Sequence, residues 1–169
     1  MQKGRRITTQ SIMNVELIVV GKTDMKEVEA LVTMYTKRIN HYVRFAITTI
    51  ADVRNTRKLS EAEQKRLEGE AILRLINDSD HLMLLDEHGS EFRSIEFAEM
   101  IQRRMSAGTK RLVFVIGDPN GFSDAVYQRA NSKLSLSKMT FSHQIVRAIF
   151  TEQLYRAFTI LKNEPYHHE

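Results

Sequence analysis

The sequence predicts an α/β protein with a mainly parallel sheet, and three observations support this fold class. Short apolar segments typical of strands alternate with longer segments whose apolar residues recur at helical spacing. Two of the strand segments, residues 81–86 and 111–116, are apolar without alternation, as expected when helices cover both faces of a sheet. No repeat or linker interrupts the pattern, so the chain is most simply interpreted as one domain after a short N-terminal extension.

The elements follow one another as strand and helix from residue 14 onwards. Ser60 and Glu63 form a candidate capping box at the start of the second helix, and Gly108 closes the third. The predicted strands are residues 14–22, 42–53, 81–89 (ending in Asp86 and a turn) and 111–117; the predicted helices are 24–41, 60–77, 94–107, 123–133 and 143–162, with a strand or extended loop over 134–141.

The composition is that of a globular protein, with 42% hydrophobic and 27% charged residues. The absence of cysteine excludes disulfides, thiolate nucleophiles and cysteine-based metal sites, and it suits a reducing cytoplasm. No apolar run approaches the roughly 20 residues that a membrane helix needs, and the N-terminus lacks the apolar core of a secretion signal. We therefore expect a cytoplasmic protein without a membrane segment.

The net charge of +4 is concentrated at the N-terminus. Residues 1–13 contain three basic residues and no acidic one, so the charge of the rest says little about a partner. This segment is polar and lacks periodicity, and Met13 stands just before the first strand. We interpret residues 1–13 as an extension that is expected to be disordered, ahead of a single domain over 14–169. An alternative start and a basic arm are the other interpretations.

Ligands of open parallel sheets bind at the carboxyl ends of the strands, where three segments are candidates: residues 86–89, 117–121 and 135–142. On the residues alone, the sequence "GDPNG" (117–121) predicts a type I turn, with Pro119 at the position that needs φ near −65° and Gly121 closing the turn. It lacks the Gly-Lys-Ser/Thr ending of a phosphate-binding loop, and the chain has no dinucleotide-binding fingerprint.

Asp86 suggests a different function, the phosphorylation site of a flavodoxin-like signalling domain. Such a site needs several acidic residues after the first strand, whereas Gly21 and Lys22 stand there with Asp24 alone. A structural or ligand-contacting loop is therefore the better interpretation of Asp86.

The final helix and the tail carry a further set of candidate residues. Glu152 and Arg156 are spaced as an ion pair on one helix face, and Phe141 and Ile145 enlarge an apolar surface that could form a dimer. The last four residues, 166–169, are a tyrosine, two histidines and a glutamate. On the residues alone, a frayed tail and a proton-transfer group both remain open.

Four segments together, "LLDEHG", "RLVFVIGDPNGFS", "LSLSKMTFSHQIVRAIFTEQLYRAFTIL" and the terminal "PYHHE", resemble the ribosomal RNA large subunit methyltransferase H (RlmH, or YbeA-like) family of the SPOUT superfamily. The resemblance covers residues 14–169. It implies an α/β-knot fold with a deep C-terminal trefoil knot, a homodimer and S-adenosylmethionine as methyl donor, with no metal. It also implies methylation at N3 of a pseudouridine in helix 69 of 23S rRNA, in assembled ribosomes.

The resemblance further implies roles for individual residues. The family usually has Gly-Gly-Pro-X-Gly where this chain has Asp118 as the second residue, so we expect Asp118 to weaken cofactor binding modestly. His143, at the start of the last helix, is placed near the site, and His168 stands where many relatives have arginine. The implied cofactor-binding residues are Leu85, Asp86, Gly117, Asp118, Gly121, Leu136, Ser137, Lys138, Met139, Thr140, Phe141 and Ser142, and the implied catalytic residues are Arg147, Tyr155, Arg156, Tyr166, His167 and Glu169.

Two alternatives remain beside this enzyme. One is a ribosome-binding knot protein that has lost turnover, for which Asp118 is the warning sign. The other is the flavodoxin-like domain, which predicts an unknotted monomer. RNA contacts are expected from local basic clusters: Arg54, Arg57 and Lys58; Arg103 and Arg104; and Lys110 and Arg111.

Overall fold

The structure is a computed structural model that describes residues 13–53 and 58–169. The described part alternates strands and helices, as the hydrophobic periodicity predicts. The elements are β1 (Asn14–Val20), α1 (Lys26–Ile39), β2 (Arg44–Ile50), α2 (Glu61–Arg74), β3 (His81–Glu91), α3 (Ser94–Ser106), β4 (Arg111–Ile116), α4 (Asp124–Arg129), β5 (Ser132–Ser135) and α5 (Ile145–Leu161).

The five described strands form one sheet in the order β2-β1-β4-β3-β5. Every neighbouring pair is parallel, which confirms the predicted sheet type. A flavodoxin-like domain has the order 2-1-3-4-5. Here β4 lies between β1 and β3, so the flavodoxin-like alternative is wrong.

Helices cover both faces of the sheet. On one face α5 packs against both α1 and α3, and on the other α2 packs against α4. Alternate residues of a strand therefore enter different cores, which explains why the central strands are apolar without alternation. In β4, for example, Phe114 joins the core beneath α5, and Val113 and Val115 join the core beneath α2.

The element ends show why the predicted boundaries hold or shift. Ser60 caps α2 by accepting a hydrogen bond from the Glu63 N–H at 3.2 Å, and Gly108 ends α3 with a φ of +80°. The predicted end of the third strand at Asp86 is wrong, because β3 continues to Glu91. The chain leaves the ladder after Leu85 and rejoins β5 at Ser90.

Met13, the last residue of the predicted N-terminal extension, is only 2% exposed and belongs to the core. The rest of the predicted extension, residues 1–12, lies outside the described residues, as do Arg54 and Arg57 of the first basic cluster. Within the described residues, no helix is long and apolar enough to cross a membrane.

Arg111 does not act as a free basic residue, contrary to the expectation from sequence. Its guanidinium forms ion pairs with Glu16 and Asp80 and donates to the Leu75 carbonyl at 2.9 Å. These contacts join the amino ends of β1, β3 and β4, so the residue stabilises the sheet.

Candidate functional site

A cavity of about 330 Å³ lies at the carboxyl ends of β3, β4 and β5. It is lined by the segments that follow β4 and β5 and by the part of β3 after Leu85, where the strand leaves the ladder, as the rule for parallel sheets predicts. The structure brings together all the predicted cofactor-binding residues except Lys138 and Ser142. His143, which the sequence places near the site, also lines the cavity.

The first wall of the pocket is the turn after β4. The Gly121 N–H donates to the Asp118 carbonyl at 3.0 Å, which closes the predicted turn around Pro119. The Asp118 side chain accepts from the Asn120 N–H at 2.9 Å, so one of its oxygens is used within the turn. Gly117 has no room for a side chain, because an added Cβ would lie 2.6 Å from the Phe122 ring.

The second wall is the loop that leaves β3 after Leu85. The Asp86 carboxylate accepts from the His88 N–H at 2.8 Å and from the Tyr127 hydroxyl at 2.6 Å. Burial raises the pKa of Asp86, but these two hydrogen bonds and the nearby positive charge of Lys133 together outweigh burial, and the pKa lies below its usual value. Asp86 is therefore ionised at neutral pH and holds the loop against α4.

The third wall is the segment after β5. The Ser135 hydroxyl donates to the Ser137 carbonyl and the Ser137 hydroxyl accepts from the Met139 N–H, both at 2.9 Å. Ser142 instead accepts from the Ile145 N–H at 3.1 Å at the start of α5, which explains why it does not line the cavity. Met139 is 77% exposed at this wall.

Arg147, for which the resemblance implies a catalytic role, does not line the pocket and lies apart from the other predicted catalytic residues. Its side chain is 2% exposed, and its guanidinium donates to the carbonyls of Val20 and Gly21 at 2.7 and 2.9 Å and to the Thr23 hydroxyl at 3.0 Å. Burial lowers its pKa, partly offset by the charge of Asp24. The residue fastens α5 to the chain after β1.

The other predicted catalytic residues, Tyr155, Arg156, Tyr166, His167 and Glu169, are brought together at the end of α5 with Glu152; we call these six residues the tail group. Glu152 Oε1 accepts from Arg156 Nη2 at 2.6 Å, which confirms the predicted ion pair, and from the Tyr166 hydroxyl at 2.9 Å. The Arg156 guanidinium lies 4.7 Å from the centre of the Tyr166 ring. One carboxylate therefore orients two of the predicted catalytic side chains.

His167 and Glu169 complete the tail group. Arg156 Nη1 lies 3.2 Å from His167 Nδ1, and because arginine only donates, Nδ1 accepts and the proton of neutral His167 is on Nε2. Nε2 is buried without a hydrogen-bond partner in the described part of the chain, 3.9 Å from Glu169 Oε1. Glu169 in turn accepts from Arg93 at 2.6 Å.

None of the tail group residues lines the pocket. Sequence reasoning missed two residues that matter here: Tyr127, which lines the pocket, and Glu152, which it interpreted as an ion-pair partner alone. His88, which also lines the pocket, lies in the predicted segment 86–89 but is not one of the predicted site residues. Tyr127 belongs to none of the predicted segments, so the sequence carried no signal for it. Within the described residues, no group of three His, Asp or Glu side chains could hold a metal ion.

Comparison with known proteins agrees with this architecture. A solved structure from Haemophilus influenzae, described as a probable methylase family protein, superposes with a TM-score of 0.51 over 93% of this chain and 71% of its own. Its 11% identity supports the fold alone.

Sequence relatives are much closer. The protein named ribosomal RNA large subunit methyltransferase H in Christiangramia forsetii is 59% identical over 92% of this chain and 99% of its own length. Its namesake in Flavobacterium psychrophilum is 55% identical over 93% of this chain and 100% of its own. The family model described as "Predicted SPOUT methyltransferase" matches residues 13–167. The chain therefore belongs to the SPOUT methyltransferase family, and within it to the ribosomal RNA large subunit methyltransferase H group that its sequence resembles.

Proposed function

We propose that this protein methylates 23S rRNA of the large ribosomal subunit, at N3 of a pseudouridine in helix 69 in assembled cytoplasmic ribosomes, with S-adenosylmethionine as methyl donor. The observation that carries the proposal is the pocket at the carboxyl ends of β3, β4 and β5 in a chain that matches rRNA methyltransferases over almost its whole length. The finer assignments of base, atom and helix follow from the family resemblance.

The pocket residues fit S-adenosylmethionine. Small-molecule sites are mostly apolar concavities with a few placed polar groups, and a cavity of about 330 Å³ is within their usual size. Leu85, Leu136 and Phe141 supply apolar walls for a flat base. Gly117 contributes only backbone to the pocket wall, and Phe122 and Glu68 lie where its Cβ would be. When bound, the cofactor supplies an electrophilic methyl group.

The separation of the pocket from the tail group supports a homodimer. In one chain, the implied catalytic side chains do not line the implied cofactor site. Two large apolar side chains are exposed close to the pocket, Met139 at 77% and Ile145 at 44%. A dimer formed through this surface buries them and lets the tail group of one subunit approach the pocket of the other.

The roles within the tail group follow from their hydrogen bonds. Burial and hydrogen bonds to Tyr35 and Glu152 raise the pKa of Tyr166, so its hydroxyl remains protonated and acts as a donor. Arg156 occupies Nδ1 of His167, which leaves the Nε2 proton of His167 available to stabilise a developing anion. Removal of the pseudouridine N3 proton then falls to the Glu169 carboxylate, and Arg156 contacts phosphate or the oxyanion.

Cationic side chains around the tail group support an RNA substrate. Arg38 lies 5.5 Å from the centre of the Tyr155 ring, and Arg93 and Arg156 are the partners of Glu169 and Glu152. Arg103 and Lys110, from the predicted basic clusters, are exposed. Such dispersed charge favours weak binding of free RNA and recognition of the shape of the ribosome.

The contacts between β3 and β5 support the deep trefoil knot. Leu134 pairs with Leu85 before the loop of the second wall and with Ser90 after it. Gly89 lies so close to this strand that an added Cβ would be 2.7 Å from the Leu134 backbone. The segment 86–89 therefore packs tightly against β5, as a knot at this position would require.

The test is transfer of a labelled methyl group from S-adenosylmethionine to ribosomes that lack this modification, followed by mapping of the labelled nucleotide. Label on a helix 69 pseudouridine supports the proposal in full, and label elsewhere in the rRNA overturns the assignment of the target. Cofactor binding without any transfer favours the alternative of a ribosome-binding protein that has lost turnover, with Asp118 as the first residue to revert.

A further inference from the structure

We infer that Glu68, in the middle of α2, is a positioning residue that holds the turn at residues 117–121 in the place where it binds S-adenosylmethionine. The inference rests on the proposed function, because the cofactor gives the turn its purpose. Glu68 belongs to none of the segments that carry the family resemblance, and it lies about fifty residues before the turn in the sequence.

The burial of Glu68 requires an explanation. The residue is only 6% exposed, on a helix face that packs against the apolar core of α4 and β4. A buried carboxylate is costly unless its oxygens are bound, and an apolar side chain could fill the same volume at lower cost. The oxygen Oε1 accepts a hydrogen bond from the Asp118 N–H at 3.1 Å. The carboxylate thus supplies an acceptor for the backbone of the turn, which an apolar side chain would lack.

The next residue of α2 meets the other end of the turn. A Cβ on Gly69 would lie 2.3 Å from the Ser123 hydroxyl oxygen, so only glycine lets α2 approach the start of α4. A Cβ on Gly117 would lie 3.2 Å from Glu68 Oε1. Glu68 and Gly69 thus contact the segment on both sides of the turn.

The shape and the location of the turn depend on different contacts. The hydrogen bonds of Gly121 to Asp118 and of Asn120 to Asp118 are internal and fix the shape of the turn. In the loop at Asp86, Tyr127 attaches the loop to α4. Glu68 likewise attaches the turn to α2, and this contact contributes to the distance between the turn and the facing walls of the pocket.

The experiment compares two substitutions that keep the volume of the side chain. Glu68→Gln retains an oxygen that accepts from the Asp118 N–H, whereas Glu68→Met does not. Ile72→Val is the control, because Ile72 is fully buried one turn further along the same helix and does not line the pocket. The readouts are the Kd of S-adenosylmethionine by calorimetry, hydrogen exchange at the Asp118 amide by NMR, and stability by urea unfolding.

We expect Glu68→Met to raise the Kd about 10-fold and to speed exchange at Asp118, and Glu68→Gln to stay within about threefold of the wild type. Ile72→Val lowers stability without changing the Kd. Equal Kd values for the Met and Gln variants, or unchanged exchange at Asp118 in the Met variant, overturn the inference. Failure of the wild type to bind the cofactor overturns the proposed function instead, and the exchange result still decides whether Glu68 holds the turn.

Discussion

The pocket and the tail group differ in their side chains and in the hydrogen bonds that hold them. The pocket walls combine backbone, glycine, serine and apolar side chains with a few polar groups, and apart from the bond between Tyr127 and Asp86 their hydrogen bonds join a side chain to a nearby N–H or carbonyl. The tail group is made of aromatic and charged side chains that bond to one another, with Glu152 at the centre. The first arrangement is suited to holding a ligand by shape, and the second to moving or stabilising charge. If this difference reflects function, changes in the pocket alter cofactor binding and changes in the tail group alter the rate of methyl transfer.

The largest effect is expected from a truncation that ends at Pro165 and removes Tyr166 to Glu169. Loss of the groups that handle the N3 proton should slow single-turnover methyl transfer about 100-fold or more. The Kd of S-adenosylmethionine should stay within about twofold, because none of the deleted residues lines the pocket. Full transfer by the truncated protein removes the tail from the mechanism, and a large loss of cofactor binding shows that the two regions are not independent.

Arg147→Met tests the residue that the sequence placed with the tail group and the structure places elsewhere. Loss of its hydrogen bonds to the carbonyls of Val20 and Gly21 should lower the free energy of unfolding by about 2 kcal/mol. Arg147→Lys keeps the charge but cannot reach the same acceptors, so its free energy of unfolding should lie between those of the wild type and Arg147→Met. The measurement is urea unfolding beside methyl transfer per folded molecule. A stable but inactive Met variant would return Arg147 to the catalytic residues.

Gly117→Ala tests the pocket alone. The added Cβ lies 2.6 Å from Phe122 and 3.2 Å from Glu68, so the turn must move away from its place. We expect the Kd of S-adenosylmethionine to rise about 10-fold, which corresponds to about 1.4 kcal/mol of displaced contact. Gly108→Ala is the matched control, since it strains a positive φ with no atom within 4 Å of the added Cβ and does not line the pocket. Equal Kd values for the two variants would contradict the proposal that the turn at residues 117–121 binds the cofactor.

Glu152→Gln tests the centre of the tail group with a smaller change. A neutral amide binds Arg156 and Tyr166 more weakly, so transfer should slow about fivefold while cofactor binding is kept. The pKa of Tyr166 should fall, because the charge of Glu152 contributes to raising it. Glu70→Gln removes a similar helical ion pair, with Arg66 at 2.8 Å, and should leave transfer unchanged. Equal rates for the two variants would show that Glu152 does not orient the tail.

The location of the pocket follows from a rule of parallel sheets, and that of the tail group does not. The carboxyl ends of parallel strands lie at one edge of a sheet, so the loops after residues 85, 116 and 135 were expected at the same edge once the strands were recognised. No such rule applied to the predicted catalytic residues on α5. Arg147 and Tyr155 are two helical turns apart, and the first lies in the core while the second joins the tail group. Helical spacing defines a face but not what covers it.

Glu68 shows the same limit on the pocket side. In the sequence it is one of several glutamates on an amphipathic helix, and its neighbours Glu61, Glu63 and Glu70 are exposed. Only the order of the strands brings α2 beneath the turn after β4. The strand order was equally hidden, since a parallel α/β pattern is compatible with both 2-1-3-4-5 and the observed arrangement.

Asp118→Gly is expected to have the smallest effect. The family resemblance suggests that the side chain weakens cofactor binding, yet one of its oxygens is already used by the Asn120 N–H. Glycine removes a side chain from the pocket wall but also loses this bond and adds backbone freedom, so the Kd should fall only about twofold. Asp118→Asn keeps the acceptor and removes the charge. A lower Kd in both variants would show that the charge of Asp118 weakens cofactor binding, and a lower Kd in the Gly variant alone would show that the size of the side chain does so. An unchanged Kd in the Gly variant would mean that Asp118 does not weaken cofactor binding. Asp118 would then no longer support the alternative of a ribosome-binding protein that has lost turnover.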